Sequence, residues 1–217
     1  MIRDPRSTVL AAVSLALIAC GAPADEPADE QMAETDTTSQ EAMAGETIAA
    51  GSEASCFLRG ATVEEAEGRT SPLRQLEFTY AGGEGLLCYG APSARGREVM
   101  GALVPYGEPW RAGANEPTTI HLSAPATIGG VALEAGSYSM YTIPGETEWE
   151  WFLNSNYERW GIPISEDVRA TEIGSFTVAP EATGEMVETL TYAYEDGAIV
   201  LTWENTRVEI PVGSGGM

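Results

Sequence analysis

Beyond about residue 70, apolar and polar positions alternate with a period of two along most of the chain. That period belongs to strands that bury one face. Leu76, Phe78 and Tyr80 alternate with Gln75, Glu77 and Thr79, and the run stops at Gly82-Gly83, a turn signal. A second strand is expected over residues 85–89, and residues 96–104 read as one short helical turn before a bend at Pro105-Tyr106-Gly107. In residues 118–122, Ile120 and Leu122 share one face while Thr119 and His121 share the other. Ile128-Gly129-Gly130-Val131 reads as a tight hairpin, because paired glycines supply the positive φ of a primed turn.

Strands follow over residues 137–143, closed by Pro144-Gly145, and over 149–154, with Trp149, Trp151 and Leu153 on one side. After a loop holding Trp160 and Pro163, short strands are expected at residues 168–173 and 176–178. Leu190, Tyr192 and Tyr194 alternate before an Asp196-Gly197 hairpin turn, Ile199, Leu201 and Trp203 after it, and Val208, Ile210 and Val212 close the chain. Long stretches of period 3.6 are nearly absent, so the crossover helices that a parallel sheet needs are missing. The expected fold is all-β: an antiparallel, jelly-roll-like β-sandwich of about nine or ten strands with one short helical turn.

The first half-hundred residues follow other rules. Arg3 and Arg6 precede an apolar run over residues 9–18, too short to span a bilayer, that ends at Leu17-Ile18-Ala19-Cys20. This arrangement resembles a bacterial lipobox, which implies removal of residues 1–19 as a signal peptide and lipidation of the Cys20 thiol. The alternative is a plain signal peptide in which Cys20 is incidental. Gly21, where sorting to the inner membrane uses Asp, implies by the same resemblance an outer-membrane anchor facing the periplasm, with surface exposure left open. Residues 20–54 carry nine acids, no base and no aromatic side chain, too little apolar surface to offset ordering entropy. They read as an acidic disordered tether, extended by its own charge.

Residues 55–217 are then a single domain, long enough for a proper core. The whole chain has a formal charge of −22; without Asp4, the nine tether acids, Arg3 and Arg6, the domain keeps 23 acids against nine arginines, about −14. Nucleic acid and anionic lipid surfaces call for the opposite sign, so neither is an expected partner. Once Cys20 is set aside, Cys56 and Cys88 remain. An exported location permits a disulfide between them, but two separate buried thiols fit the spacing equally. With no Cys-x-x-Cys pair and one histidine, no metal site is expected, and no cofactor.

The segment Tyr89-Gly-Ala-Pro-Ser-Ala-Arg-Gly-Arg97, with Val104-Pro105-Tyr106-Gly107, Trp110-Arg111 and Gly113-Ala114-Asn115-Glu116, is too particular for generic strand and turn chemistry. Together with Ala135-Gly136-Ser137-Tyr138-Ser139, Tyr141-Thr142-Ile143-Pro144 and residues 149–154, it resembles a bacterial family of exported proteins, the domain of unknown function catalogued as number twenty-nine eleven. The likeness covers about residues 86–178; Cys88, Pro117 and His121 depart from the pattern. What the resemblance implies is a secreted or lipid-anchored β-domain of unassigned activity.

Among those residues, Arg97, Trp110, Arg111, Asn115 and Glu116 form the candidate ligand site. A planar guanidinium beside an indole suits carboxylates and sugar faces, with an amide and a carboxylate for directional contacts. The competing reading is architectural: Trp110 caps the core, Arg111 and Glu116 satisfy each other, and Gly113 and Asn115 make a turn. Arg95 and Arg97 around Gly96 suit an anion or are a solvated pair, and Tyr138, Tyr141, Asn154 and Trp160 line a pocket or the core. His121 has no nucleophile in a Gly-x-Ser-x-Gly elbow beside it, so no catalytic residue is assigned. Two functions stay open. One is an envelope lipoprotein that binds a small polar ligand, a glycan or an envelope protein without catalysis; the other is a hydrolase of cell-wall or polysaccharide material using Glu116 and Arg111.

Overall fold

The computed structural model describes residues 54–215, so the signal segment, Cys20 and nearly all of the tether lie outside the described residues. In chain order the elements are α1 (Val63–Glu67), β1 (Leu73–Tyr80), β2 (Gly83–Gly90), β3 (Ala114–Leu122), β4 (Ala126–Ile128), β5 (Val131–Leu133), β6 (Gly136–Pro144), β7 (Trp149–Asn154), α2 (Glu166–Arg169), β8 (Glu172–Val178), β9 (Glu181–Glu195) and β10 (Ala198–Ser214). Ten antiparallel strands form two sheets, a six-stranded one ordered β1-β2-β3-β6-β7-β8 and a four-stranded one ordered β5-β4-β10-β9. The chain walks along the larger sheet one strand at a time, leaving it once for the β4–β5 hairpin and again for β9 and β10. The fold is a β-sandwich.

The core lies between the inward faces. Phe78, Leu87, Ile120, Met140, Trp149, Trp151 and Leu153 from the larger sheet meet Ile128, Leu190, Ile199, Leu201, Trp203, Val208 and Ile210 from the smaller. These are the alternating apolar positions of the sequence, so burial of one face per strand selects both register and layer. At the β4–β5 turn Gly129 and Gly130 have φ of 58° and 86°, and Asp196-Gly197 repeats the device with 48° and 81°. Both are the left-handed pairs that join tightly twisted strands.

Three local expectations are corrected. Residues 96–104 form a series of turns rather than a helical turn, because Gly96 and Gly101 sit at φ of 70° and 86° and the amides of Val99 and Met100 donate to the Glu204 carboxylate instead of to a helix ladder. The helices are elsewhere. α1 starts with a capping box in which Thr62 and Glu65 satisfy each other's backbone amides. Of the strand expected over residues 168–173, Val168 and Arg169 belong instead to α2, whose first turn carries Glu166 and Asp167 where the helix dipole favours acids, and the strand proper is β8. Finally, the two runs around Ile199 and Val208 are one strand: the polar Glu204-Asn205-Thr206 interruption is a bulge inside β10, with register shifts on both sides of Glu204.

Candidate functional site

The outer face of the six-stranded sheet is roofed by two segments. The stretch before β1 lies over β1 and β2, where Cys56 is bonded to Cys88 with a Cα–Cα distance of 5.7 Å. Ala66 of α1 joins Leu73, Leu86 and Cys88 in a small apolar cluster flanked by Leu58. The β7–β8 connection lies over β3, β6 and β7: Ser139 Oγ donates to the Asn156 carbonyl at 2.9 Å, Asn154 Nδ2 donates to the Val168 carbonyl, and Tyr157 stands edge-on to His121 with ring centres 6.1 Å apart. This cover explains why Thr119, His121, Ser139 and Asn154, on the polar face of their strands, are nonetheless buried. Of the sequence-nominated residues, Arg111, Asn115 and Glu116 lie at the start of β3 where these two covers approach each other.

The structure divides those residues. Trp110 is partly buried and packs against the core, with ring centres 6.1 Å from Trp149 and 5.9 Å from Trp203, and its backbone pairs with Thr142. Arg97 is spent on its own loop, donating from Nε to the Ala94 carbonyl and from Nη2 to the Ser93 carbonyl, each at 2.9 Å. Asn115 adopts a φ of 64° in the bulge that opens β3, and its Nδ2 donates to the Ser71 carbonyl at 2.8 Å. Glu116 is 8% exposed, and its Oε2 is held at 2.7 Å by Nη1 of Arg69, a residue that nothing in the local sequence marks. The cavity between Arg69, Cys88, Asn115, Glu116 and Thr119 is about 10 Å³, room for one water molecule beside the unpartnered Glu116 Oε1.

Arg111 is different. Its stem is clamped by Gly161, where any Cβ would collide with Arg111 Cδ and the Asn115 carbonyl, so the β7–β8 connection closes on Arg111 only because residue 161 has no side chain. The Gly161 amide donates to that same carbonyl at 3.2 Å. Among the described residues the Arg111 guanidinium has no hydrogen bond and no ion pair, and its Nε is buried. Burial pushes its titration down and no neighbouring acid offsets it. Arg159, from the same connection, is also pushed down by burial, and its Nη2 is buried without a partner although Nε and Nη1 donate to the carbonyls of Asn156, Trp160 and Gly161. Arg69, half-buried under the same cover, is satisfied by Glu116, so a buried guanidinium nitrogen with no partner needs a reason.

Other groups beneath the roof are committed. The Tyr141 hydroxyl donates to Glu172, which also receives Arg169 at 3.2 Å; burial first, and then that acid, push the phenol well up. Tyr138 leans on the core and donates to the Glu134 carbonyl. Trp160 is 37% exposed on the roof. His121 Nδ1 lies 2.7 Å from Ser137 Oγ and its Nε2 3.4 Å from Thr119 Oγ1, and among the described residues no carboxylate bonds the ring to complete a triad. Burial holds its titration below the ordinary value of 6.5, so below that pH the unfolded chain binds more protons than the folded one. Stability is then full above about pH 6.5 and falls as the pH drops toward the folded value. Urea midpoints from pH 7.5 to 5 should show this loss in the wild type and a flatter profile in His121→Gln; identical profiles would assign the acid sensitivity to other groups.

Residues 71–212 match the family model described as "Protein of unknown function (DUF2911)". No curated protein and no solved structure matches the chain.

Proposed function

The chain belongs to the DUF2911 family, and on that premise we propose that it is a non-catalytic, envelope-tethered binding domain in which Arg111 receives the anionic group of a small polar ligand. One observation carries this reading: a half-buried guanidinium whose buried Nε has no partner, and which has no neighbouring acid to neutralise it, among the described residues. A desolvated cation without a partner is costly, and a domain of about −14 has acids in plenty that fold architecture has not placed there. A ligand carboxylate, sulfate or phosphate supplies the missing charge with bidentate geometry. Free small acids and acidic sugars share that chemistry. The hydrolase reading has weaker support, because Glu116 is clamped by Arg69 and its cavity admits a water but no sugar ring. In this account a lipid on Cys20 and the acidic tether hold the domain off the outer membrane, facing the periplasm.

A thermal-shift series on the full chain tests it, with glucuronate and inorganic phosphate as probes and glucose as the neutral control. At least one anion should raise the melting temperature where glucose does not, as binding to the folded state requires. Arg111→Met, which keeps the stem against Gly161 and removes the charge, should abolish the shift. It should leave the unliganded domain as stable as the wild type or more so, since groups kept for binding are often a burden on the fold. An Arg111→Met protein that loses about 2 kcal/mol or more, well beyond the roughly 0.5 kcal/mol of an ordinary surface change, would make Arg111 a structural residue instead.

A further inference from the structure

A second concavity sits at the opposite kind of place, at one end of the sandwich where the sheets part. Its volume is about 170 Å³, and it opens between the β6–β7 turn, the loop before Trp110, the β8–β9 crossover and the β10 bulge. Trp149, 1% exposed, and Met100 form its floor; Tyr106, 40% exposed, stands at its wall; Glu146 and Glu181 are at the rim, with Asn205 beside them. The hollow is held open by the fold. Glu204, at φ 54° in the bulge, accepts the amides of Val99 at 3.0 Å and Met100 at 3.2 Å, which ties the loop bearing Met100 and Tyr106 to the strand bearing Asn205. The Tyr106 ring rests on Gly101, where an added Cβ would come within 3.0 Å of it.

No arginine lines the hollow. Arg207, the nearest in sequence, is turned to Glu195 and Glu209. The Tyr106 phenol is pushed up by partial burial and then by Glu146, Glu204 and Glu98, so three carboxylates act on this one wall. We infer that this hollow is a binding site for a small organic cation, an alkylammonium group set against the Tyr106 face with Glu146 and Glu181 as its counter-charges. Aromatic faces and carboxylates are what an ammonium with an apolar skin uses. A hard divalent ion gathers about six to eight oxygen ligands, and Glu146 and Glu181 are the lining's only carboxylates, beside a thioether and two aromatic rings. Among the described residues no cluster of three histidine, cysteine or acidic side chains could hold a metal. A neutral sugar would gain nothing from the negative potential that the rim focuses into the hollow.

The test is calorimetric titration of the full chain with choline and n-butylammonium, alongside 3,3-dimethyl-1-butanol, the uncharged isostere of choline, and calcium chloride. At least one ammonium should bind while the isostere does not, and Glu146→Gln, at an exposed position, should weaken binding about fivefold or more. Tyr106→Ala should weaken it similarly, and Glu67→Gln on α1, outside the hollow, should leave it unchanged. Equal binding of the isostere would make the hollow a plain apolar depression and overturn the proposal. So would binding of calcium in place of both ammonium ions, or no ammonium binding up to about 10 mM, beyond the range of specific small-ligand affinity. The Glu146 variant keeps the test sharp if Tyr106→Ala fails to fold.

Discussion

Replacing Arg69 with methionine is expected to destabilise the domain by about 2–3 kcal/mol, below the full range for a buried ion pair because the Arg69 side chain is 25% exposed. The loss arises on the other partner. Glu116 stays 8% exposed with Oε2 stripped of its 2.7 Å contact and Oε1 already without one, so a carboxylate is left under the roof with at most a single water. Glu116→Gln alone should cost less, since it removes the charge with the contact. Arg69→Met combined with Glu116→Gln should cost less than the sum of the two, the coupling expected of a shared interaction. Urea unfolding of the four proteins measures the cycle. An Arg69→Met protein within about 0.5 kcal/mol of wild type, the range of ordinary surface changes, would mean that Glu116 is not held by Arg69 and is free for the acid or base role the hydrolase reading assigns it.

Removing the Cys56–Cys88 bond is expected to cost about 3–4 kcal/mol, the loop-closure value for a sequence separation of 32 residues. The effect concentrates in one place. Apart from the bond, the segment before β1 is tied down by Leu58 and Ala66 against Leu73 and Leu86, by Arg69 on Glu116 and by the Ser71 carbonyl on Asn115. Cys56→Ser with Cys88→Ser, which avoids a lone thiol, should therefore both lower the urea midpoint and expose residues 55–70 to protease before the sheets unfold. A double variant within 1 kcal/mol of wild type and equally protease-resistant would mean that the apolar cluster alone holds this roof.

The two variants bear on one question, what the start of β3 is for. Its sequence, Arg111-Ala-Gly-Ala-Asn-Glu116, concentrates groups that bind ligands and groups that make turns, and in a sequence the two uses look alike. Strands are legible because a strand's side chains repeat every two residues, and β7 shows it: Trp149, Trp151 and Leu153 face the core, while Glu150, Phe152 and Asn154 face the roof, which buries Phe152 and Asn154 too. The rule misleads where local contacts replace the sheet. Around Val99 the amides are taken by Glu204, more than a hundred residues away, and around Val168 the acids of a helix start fall within an apparent alternation. The polar break at Glu204-Asn205-Thr206 does not announce its kind in the sequence, because a bulge and a turn use the same polar residues.

The candidate site was half legible for the same reason. Its address was readable from the chain, but which side chain is idle depends on partners distant in sequence: Arg69 takes Glu116, Ser71 takes Asn115, and Trp149 and Trp203 enclose Trp110. Arg111 is left over. Gly161, which closes over it, lies in a loop whose sequence advertises only a tryptophan and a proline. The spacing of Cys56 and Cys88 fitted a bond and two free thiols equally, and only the approach of the segment before β1 to β2 decides for the bond.

The most direct test of the anion-receiving role of Arg111 is to follow the arginine Nε–H resonances of the full chain by NMR during titration with glucuronate and inorganic phosphate. The Arg111 signal, assigned by its loss in Arg111→Met, should move saturably with at least one anion, because its buried Nε has no partner among the described residues. The signal of Arg97, already bonded to the Ala94 carbonyl, should stay in place. An Arg111 signal that never moves while the domain binds either anion would put the ligand elsewhere and leave Arg111 without the role assigned to it.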